Sequence, residues 1–467
     1  MNKQIVILGG GPAGYEAALV AAELGADVAI VGDEGLGGAS VLWDSVPSKA
    51  LIVAAEAMGW LHVAQKMGVH VAEVGHLDRT AIDFRRVAST VMELGASQSR
   101  DIERRVADSG ARLLRGRGRL SGVNEVTVAM DDGGERVLDA DYVLLCTGST
   151  ARILPFFAPD GDRVLVGRQV YGLERVPEHL VVVGSGATGA EFSHAFRWFG
   201  AEVTLVSSRD LILPTEDPDA AQVIEDVFER RGTTILRNSR AMSCERRGDE
   251  VVVGLEGGGE VVGSHALFTV GQVPRTDDLG LELVGIEANA RGALDVDTVG
   301  RTRTPWVYAA GDITGSVMLA SVAAMQGRTA MWHALGQAVQ PIRWDAVAAT
   351  VFTDPEVATV GITADEARKT GMPVETARLE FRSNPRAKMT YGTDGFVKVH
   401  AQIGSGVVVG GVVVSMRASD LIQPLAVAVQ NRLSVAQLAQ TLTVYPSMAG
   451  SVAECSRMLM ARLADAR

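Results

Sequence analysis

The sequence predicts an α/β protein that contains one strand–turn–helix–strand unit twice and ends in a separate α+β module. Two glycine-rich runs carry this prediction, residues 9–14 and residues 184–189, because each follows a short apolar strand and precedes a helix pattern. Second strands at residues 27–31 and 202–206 complete the two units. From about residue 345 the chain changes to strands rich in Val and Gly followed by helices, which indicates the third module.

Both glycine runs have the spacing Gly-x-Gly-x-x-Gly. The first glycine permits a tight turn, the second lets the backbone approach a pyrophosphate, and the third allows close packing of helix on strand. The N-terminus of the following helix adds N–H groups and partial positive charge for the phosphates. The repeat therefore predicts two Rossmann-like dinucleotide-binding domains. Their candidate cofactor-binding residues are Gly9, Gly11, Pro12, Ala13, Gly14, Gly184, Gly186 and Gly189.

The end of the second strand indicates which ribose each domain binds, because an acid there accepts hydrogen bonds from a ribose diol and an arginine accommodates a 2′-phosphate. In the first domain, Asp33 is the candidate acid. In the second domain the place holds Ser207, followed by Ser208 and Arg209, with no acid. We therefore expect NADPH to be preferred over NADH. The alternative is that Arg209 points to solvent and the protein accepts both nucleotides.

Composition and charge limit the partners. A chain of 467 residues exceeds one ordinary core, and its net charge of -12 argues against nucleic acid and anionic membranes as partners. Cys146, Cys244 and Cys455 have neither metal-site nor disulfide spacing, which is typical of a reducing compartment. The first strand begins without a signal peptide, and the apolar stretch 406–416 is too short to span a bilayer. We expect a cytoplasmic protein with no metal and no membrane span.

Residues 37–49, GGASVLWDSVPSK, are a more specific signal. They resemble the signature of the flavoprotein disulfide reductases, the family of lipoamide dehydrogenase and glutathione reductase. In that family, two cysteines at the places of Ser40 and Ser45 exchange electrons with reduced FAD as a dithiol/disulfide pair. A hydroxyl forms no disulfide and is no thiolate nucleophile at neutral pH. The resemblance therefore implies a flavin-binding frame without its usual electron outlet.

The resemblance covers essentially the whole chain, including Cys146-Thr147-Gly148, Ala310-Gly311-Asp312 and residues 269–274. It implies a homodimer. The implied domains are an FAD-binding domain in two parts (1–152 and 273–344), an NAD(P)-binding domain (153–272) and an α+β dimerisation domain (345–467). The residues implied to lie at the cofactors are Gly38, Ala39, Ser40, Gly118, Thr147, Gly148, Gly271, Asp312, Met318, Leu319 and Ala320.

The resemblance gives Lys49 and Glu191 a catalytic role. In the family these two positions form an ion pair beside flavin N5, where nicotinamide docks. A fixed ammonium there stabilises negative charge as the flavin accepts hydride. The alternative is a surface lysine and a glutamate on the first turn of a helix that only favours the local dipole.

The C-terminal run Thr443–Gly450 also departs from the family. The family places a His–Glu acid–base pair here, which reaches the disulfide of the partner subunit. In this chain Tyr445 replaces the base and Gly450 its orienting acid. A phenol is a poor base for a thiol at neutral pH. The redox cysteines and the acid–base pair are thus absent together, which indicates a function that needs neither.

These features predict an FAD-dependent NAD(P)H:quinone oxidoreductase, in which hydride passes to FAD and electrons pass directly to a quinone-like acceptor. Family members without the cysteine pair resemble actinobacterial NAD(P)H:quinone reductases. Our hypothesis for the acceptor site is the cavity vacated by the thiols, lined by Ser40, Trp43, Ser45 and the partner subunit's Tyr445. An alternative for the site is that the nucleotide and the acceptor use the nicotinamide face in turn. Two alternative functions also remain: a soluble pyridine nucleotide transhydrogenase, and a non-catalytic FAD-binding protein for redox sensing or interaction.

Overall fold

The computed structural model describes residues 2–69 and 82–465. The chain forms two compact units, each assembled from three segments. The first unit comprises Met1–Ala50, Ala88–Arg152 and Gly271–Ile342, and the second unit comprises Leu51–Val87, Ile153–Val270 and Arg343–Arg467.

The strands follow the chain in twenty-two short segments within the described residues. They are β1 (Gln4–Leu8), β2 (Asp27–Gly32), β3 (Arg112–Gly122), β4 (Glu125–Met130), β5 (Glu135–Asp139), β6 (Tyr142–Leu145), β7 (Ser149–Ala151), β8 (Val164–Val166), β9 (His179–Val183), β10 (Glu202–Val206), β11 (Thr234–Leu236), β12 (Ala241–Arg247), β13 (Glu250–Leu255), β14 (Glu260–Gly263), β15 (His265–Phe268), β16 (Gln272–Pro274), β17 (Val307–Ala309), β18 (Ala348–Val351), β19 (Glu356–Gly361), β20 (Val374–Glu380), β21 (Phe396–Gln402) and β22 (Val408–Ser415).

The α-helices alternate with these strands. They are α1 (Pro12–Glu23), α2 (Gly38–Leu42), α3 (Ser45–Lys66), α4 (Phe84–Asp108), α5 (Ala187–Trp198), α6 (Pro218–Arg230), α7 (Ala320–Ala334), α8 (Ala364–Thr370), α9 (Pro385–Met389), α10 (Ala418–Leu421), α11 (Gln423–Gln430), α12 (Val435–Ala439) and α13 (Gly450–Asp465).

The first unit is built on a sheet of order β17–β6–β1–β2–β3–β4–β5. Strands β17 to β3 pair in parallel, and β3 to β5 continue as an antiparallel meander. Helices α1 and α7 pack so closely that a Cβ atom at Gly327 would lie 2.1 Å from the carbonyl oxygen of Ala13. The buried strands are near-continuous apolar runs, as a parallel sheet covered on both faces requires.

The second unit contains a parallel sheet of order β11–β10–β9–β15–β8 and an antiparallel sheet of order β18–β19–β22–β21–β20. Helix α5 connects β9 to β10 and α6 connects β10 to β11, so this part is a βαβαβ arrangement. A buried ion pair joins it to the antiparallel sheet. Lys398 on β21 donates to both carboxylate oxygens of Asp217 at 2.7 Å, and Asp217 is the N-cap of α6.

The structure adds detail that the sequence motifs do not give. Helix α1 begins at Pro12, within the first glycine-rich run, because proline is well suited to the first helical position. The sheet β12–β13–β14 was not anticipated. Helices α3 and α4 lie between the first βαβ unit and β3, and part of the span between them (70–81) lies outside the described residues. The division into four domain segments remains a prediction.

Two properties concern the described residues only. None of their helices is both long enough and apolar enough to cross a membrane. Within the same residues, no group of three or more His, Cys, Asp or Glu side chains is arranged to hold a metal ion.

Glu56 on α3 lies in a charged cluster of the second unit. Burial raises the pKa of its carboxyl to about 7, and the nearby carboxylates of Asp354 and Glu356 act in the same direction. Arg417 and Arg231 oppose this shift, and Arg231 donates to Asp354 at 2.6 Å. The folded protein therefore holds a proton on Glu56 more tightly than the unfolded chain does.

This cluster predicts a pH dependence of stability. Because the pKa of Glu56 is raised on folding, its contribution to stability is fully present below the unfolded pKa of about 4.5 and is lost as pH rises through about 7. The variant Glu56→Gln should escape that loss. We expect its free energy of unfolding, relative to wild type, to rise by on the order of 1 kcal/mol between pH 5 and pH 8.5. Unfolding curves at both pH values test this, with exposed Glu23→Gln as the control; a pH-independent difference would contradict it.

Candidate active site

The first glycine-rich turn joins β1 to α1. Gly9 has a φ of +118° and Gly11 is the N-cap of α1. A Cβ atom at Gly14 would lie 2.0 Å from the carbonyl oxygen of Gly9, so only glycine permits this approach of helix to strand. A Cβ atom at Gly11 would meet nothing within 4 Å among the described residues, and no side chain there caps the helix. The helix N-terminus is therefore open to an anionic ligand.

The second turn, between β9 and α5, repeats this geometry. Gly184 has a φ of +112°, and Gly186 is the N-cap of α5 with an extended backbone. A Cβ atom at Gly189 would lie 1.8 Å from the carbonyl oxygen of Gly184. Space is again open above the N-cap glycine within the described part of the chain. Both turns can thus present main-chain N–H groups to a pyrophosphate.

Helix α2 begins directly against the first turn. Gly37, with a φ of +103°, donates its N–H to the carbonyl oxygen of Gly10 at 2.7 Å. A Cβ atom at Gly38 would lie 2.8 Å from Cα of Gly11. The hydroxyl of Ser40 donates to the carbonyl oxygen of Gly37 at 2.9 Å. Ser40 therefore stabilises the start of α2, a local role that does not depend on a thiol.

Asp33, the expected ribose acid of the first unit, is already paired. Its Oδ2 atom accepts a hydrogen bond from Nε of Arg117 at 2.9 Å. Arg117 lies on β3, beside Gly118, where a Cβ atom would lie 2.5 Å from Cδ2 of Leu8. Asp33 and Gly118 are predicted from the sequence as cofactor-binding residues, whereas Arg117, the neighbour of Gly118, is not.

Asp312 follows β17 in the turn that precedes α7. Its Oδ2 atom accepts a hydrogen bond from the hydroxyl of Ser149 at 2.6 Å. Burial raises the pKa of Asp312, and the Ser149 hydrogen bond opposes that shift. The side chain of Gln326 holds the same turn by accepting from the N–H of Gly311 at 2.8 Å. Ser149 and Gln326 were missed, although Ser149 directly follows the predicted Thr147–Gly148 pair.

The other predicted cofactor-binding residues of the first unit lie near β7, β16 and the start of α7. Thr147 donates its hydroxyl to the carbonyl oxygen of Arg275 at 2.5 Å. Gly148 and Gly271 have φ values of +76° and +102° and flank the antiparallel pair β7–β16. Leu319 is the N-cap of α7, so the other two predicted positions there are its neighbours, Met318 and Ala320.

Glu191 is buried, with 5% of its surface exposed. It is the fifth residue of α5 and therefore lies on the second turn rather than the first. Its Oε1 atom accepts a hydrogen bond from the main-chain N–H of Phe352 at 3.0 Å. Glu191 is therefore held in the interior by a main-chain donor, and its catalytic role remains a prediction. Lys49 is half-buried on α3 in the first unit, and its pairing with Glu191 remains a prediction.

Ser207 and Arg209 differ sharply in exposure. Ser207 is completely buried, and its hydroxyl shares a hydrogen bond of 2.8 Å with the hydroxyl of Ser185 in the second glycine turn. Arg209 is exposed. The main-chain N–H of Arg209 donates to Oγ of Ser207 at 3.1 Å. Ser207 therefore fixes the backbone that carries Arg209, and Arg209 alone of the two extends into solvent.

Tyr445 lies in the segment between α12 and α13 and is 84% exposed. Leu442 and Val444 in the same segment are also exposed. Trp43 and Ser45, the other members of the proposed acceptor cavity, are half-buried between α2 and the start of α3.

The three cysteines provide no redox pair. All three are free thiols, and burial raises the pKa of Cys146 and Cys455, the latter to about 12. Cys146 donates to the carbonyl oxygens of Leu8 and Gly9 at 3.3 Å. Cys244 is partly exposed, with a pKa raised to about 11. Thiols that titrate this high are poor nucleophiles.

The fold and these turns define a two-dinucleotide oxidoreductase, and the chain belongs to the pyridine nucleotide-disulphide oxidoreductase family. The model of that family matches residues 3–327, and its dimerisation domain matches residues 347–455. The predicted family resemblance and the α/β class with a C-terminal dimerisation domain are thereby confirmed.

Individual relatives cover nearly the entire chain. A Mycobacterium tuberculosis protein named NAD(P)H dehydrogenase (quinone) is 48% identical over 99% of this chain and 94% of its own length. A dihydrolipoyl dehydrogenase from Haloferax volcanii is 33% identical over 97% of this chain and 95% of its own length. The crystal structure of LpdA from Mycobacterium tuberculosis superposes with a TM-score of 0.93, at 48% identity, covering 98% of this chain and all of that one.

Members of the family use FAD and NAD(P)H, the two cofactors predicted from the sequence. The first unit fits FAD because its uncapped α1 N-terminus suits the pyrophosphate, and Asp33 and Asp312 offer carboxylates for ribose and ribityl hydroxyls. The second unit fits a pyridine nucleotide at the uncapped N-terminus of α5.

Loss of the Ser149 hydroxyl should weaken FAD retention. Asp312 would lose the 2.6 Å donor that fixes the orientation of its carboxylate, so ordering that carboxylate toward a ribityl hydroxyl would cost binding energy. We expect Ser149→Ala to raise the FAD dissociation constant about tenfold. Apoprotein titrated with FAD and followed by flavin fluorescence measures this constant. Ser405→Ala, in a surface turn of the second unit, is the control; equal constants for the two variants would contradict the assignment.

Proposed function

We propose that this protein is an FAD-dependent NAD(P)H:quinone oxidoreductase. The overall reaction converts NAD(P)H, a proton and a quinone to NAD(P)⁺ and the hydroquinone, so two electrons and two hydrogens are transferred. When bound, FAD supplies the carrier that takes hydride from the nucleotide and gives the electrons to the acceptor.

One observation carries the proposal: the chain keeps the two nucleotide sites and lacks the thiols that a disulfide reductase needs. Ser40 and Ser45 occupy the positions where the family has its cysteine pair. The hydroxyl of Ser40 is used in the local turn with Gly37. Cys146 and Cys455 are buried among main-chain carbonyls and so are unsuited to replace the pair. The 48% identity to a protein named NAD(P)H dehydrogenase (quinone) supports the same acceptor class.

Lys49 and Glu191 are the proposed catalytic pair. The carboxylate of Glu191 is held in a buried position by the N–H of Phe352, which suits it to orient a lysine ammonium. An ammonium fixed at the reacting face stabilises the negative charge that develops during hydride transfer. NADPH is the proposed preferred donor, because the end of β10 is followed by Ser207 rather than by an acid, and Arg209 lies two residues further on.

We propose that the protein functions as a homodimer in the cytoplasm. The dimerisation-domain match supports the dimer, as does the exposed apolar segment before α13, in which Leu442 is 98% exposed. Three unpaired cysteines are consistent with a reducing compartment. In this dimer, Ser40, Trp43 and Ser45 would border the acceptor together with the partner subunit's Tyr445.

An anaerobic titration with NADPH followed by an acceptor panel tests the function. We expect uptake of two electrons per FAD with no thiolate-to-flavin charge-transfer band, because the thiol pair is absent. Small quinones should then reoxidise the protein faster than lipoamide, glutathione disulfide or an NAD analogue. A flavin that stays oxidised for seconds would instead indicate a non-catalytic protein. Faster hydride transfer to an NAD analogue would indicate a transhydrogenase, and normal turnover of either disulfide would overturn the proposal.

Tyr445→Phe tests the position of the acceptor site. If the phenol borders the quinone, this variant should change kcat/KM for quinones about threefold or more, the usual effect of losing one hydrogen bond. The rate of flavin reduction by NADPH should not change, because that half-reaction uses the nicotinamide face of the flavin and not the proposed acceptor cavity. Stopped-flow reduction and steady-state quinone assays separate the two, and Tyr391→Phe, which is also exposed, is the control. Unchanged quinone kinetics would place the acceptor elsewhere, including at the nicotinamide face.

A further inference from the structure

The loop between β10 and α6, residues 207–217, lies where the adenosine ribose of a pyridine nucleotide binds in a βαβ fold. The exposed Arg209 on this loop makes no hydrogen bond or ion pair with the described part of the chain through its guanidinium. An arginine on a flexible loop would lose much of its binding energy to ordering. What fixes the loop therefore decides what Arg209 can recognise.

The start of the loop is fixed by Ser207. Its hydroxyl accepts from the N–H of Arg209 at 3.1 Å and shares the 2.8 Å hydrogen bond with Ser185. The carbonyl oxygen of Arg209 also accepts from the N–H of Asn238 at 3.0 Å. Both main-chain polar groups of Arg209 are thus held, and the Ser207 hydroxyl also lies 3.2 Å from the Arg209 carbonyl oxygen.

The middle of the loop is fixed by Glu225 on α6, which is 1% exposed. Its Oε1 atom accepts from the main-chain N–H of Ile212 at 2.9 Å. Its Oε2 atom accepts from Nε and a terminal nitrogen of Arg237 at 3.0 and 2.7 Å. A buried carboxylate needs such partners, and here one of them belongs to the loop.

Leu213, the residue after Ile212, shows why the hydrogen bond from Ile212 to Glu225 is needed. Leu213 has a φ of +51°, a conformation that a leucine rarely adopts, and its side chain is buried. Its N–H donates to the carbonyl oxygen of Ser185 at 2.7 Å. The loop thus returns to the glycine-rich turn through a strained residue, which persists only where the surrounding contacts hold it.

We propose that Glu225 and Ser207 are positioning residues that hold Arg209 for the 2′-phosphate of NADPH. This inference rests on the proposed use of NADPH and names the residues that make the site selective. It assigns Ser207 a role different from the direct contact expected from the sequence, since its hydroxyl is buried and already engaged. Glu225 reaches Arg209 by two routes: through the loop N–H of Ile212, and through Arg237, whose neighbour Asn238 donates to the carbonyl oxygen of Arg209. Glu225 therefore acts on the nucleotide through Arg209.

Calorimetric binding of 2′,5′-ADP and 5′-AMP to the flavin-loaded protein tests this inference, because these probes differ only in the 2′-phosphate. We expect wild type to bind 2′,5′-ADP about tenfold more tightly, as charge-assisted hydrogen bonds to phosphate predict. Arg209→Met, Glu225→Ala and Ser207→Ala should each bring the ratio toward one while 5′-AMP binding changes less than about twofold. Glu225→Gln, which keeps an acceptor oxygen for Ile212, should retain most of the preference.

Glu229→Ala is the matched control, because Glu229 also accepts from Arg237, at 2.8 Å, but touches no loop N–H. Its ratio should equal that of wild type. In the Arg209→Met background, Glu225→Ala should have no further effect on the ratio. Ser207→Ala carries the test independently if Glu225→Ala does not fold.

Three outcomes would overturn the inference: a wild-type ratio near one, a ratio unchanged in both anchor variants, or equal loss of both ligands in them. These measurements involve no quinone. Quinone reduction with NADH alongside a ratio of one would leave the proposed function intact and remove only the inference. If wild type prefers 2′,5′-ADP, the anchor variants lose that preference and no quinone is reduced, the inference would stand and the proposed function would be removed.

Discussion

The structure depends on the close approach of a helix N-terminus to the strand before it, made twice in this chain. At Gly14 and at Gly189 a Cβ atom would lie about 2 Å from the carbonyl oxygen of Gly9 and Gly184, respectively, well inside van der Waals contact. This spacing brings uncapped N–H groups to the surface where a pyrophosphate can meet them. Helix α2 then begins against the first of these turns, so the position of its start at Gly37 and Gly38 follows from a constraint set by glycine.

The loss of the thiol pair leaves this frame undisturbed, and the reason is local. Ser40 uses its hydroxyl to hold the carbonyl of Gly37, so a serine satisfies the turn without redox chemistry. The three cysteines that remain are distributed through other parts of the chain, and burial suppresses the acidity of Cys146 and Cys455. The family scaffold can therefore keep its flavin and nucleotide sites while the route by which electrons leave changes.

The loop that follows β10 in the second unit is held by a different principle. Its nucleotide loop is held by buried polar groups, Glu225 and Ser207, whose hydrogen bonds go to main-chain N–H groups. Arg209, which these two residues hold in place, carries a positive charge and is exposed. Buried hydrogen bonds of this kind are costly to lose, because an unpaired donor or acceptor in the interior pays its full desolvation penalty. A recognition loop can thus be rigid although it contains no regular secondary structure.

The sequence by itself determined the two βαβ units, the family, the two cofactors and the absence of a redox pair, because glycine spacing and residue identity are local properties. It also named Asp33, from its place just beyond the second strand, and it named Asp312 and Glu191 through the resemblance to the family. Only the tertiary structure decided that Glu191 is buried, that Ser207 faces inward, and that Arg117, Ser149 and Glu225 hold predicted residues or loops in place. Those partners lie on other strands and helices, and a hydrogen bond between elements distant along the chain has no spacing rule that the sequence can reveal.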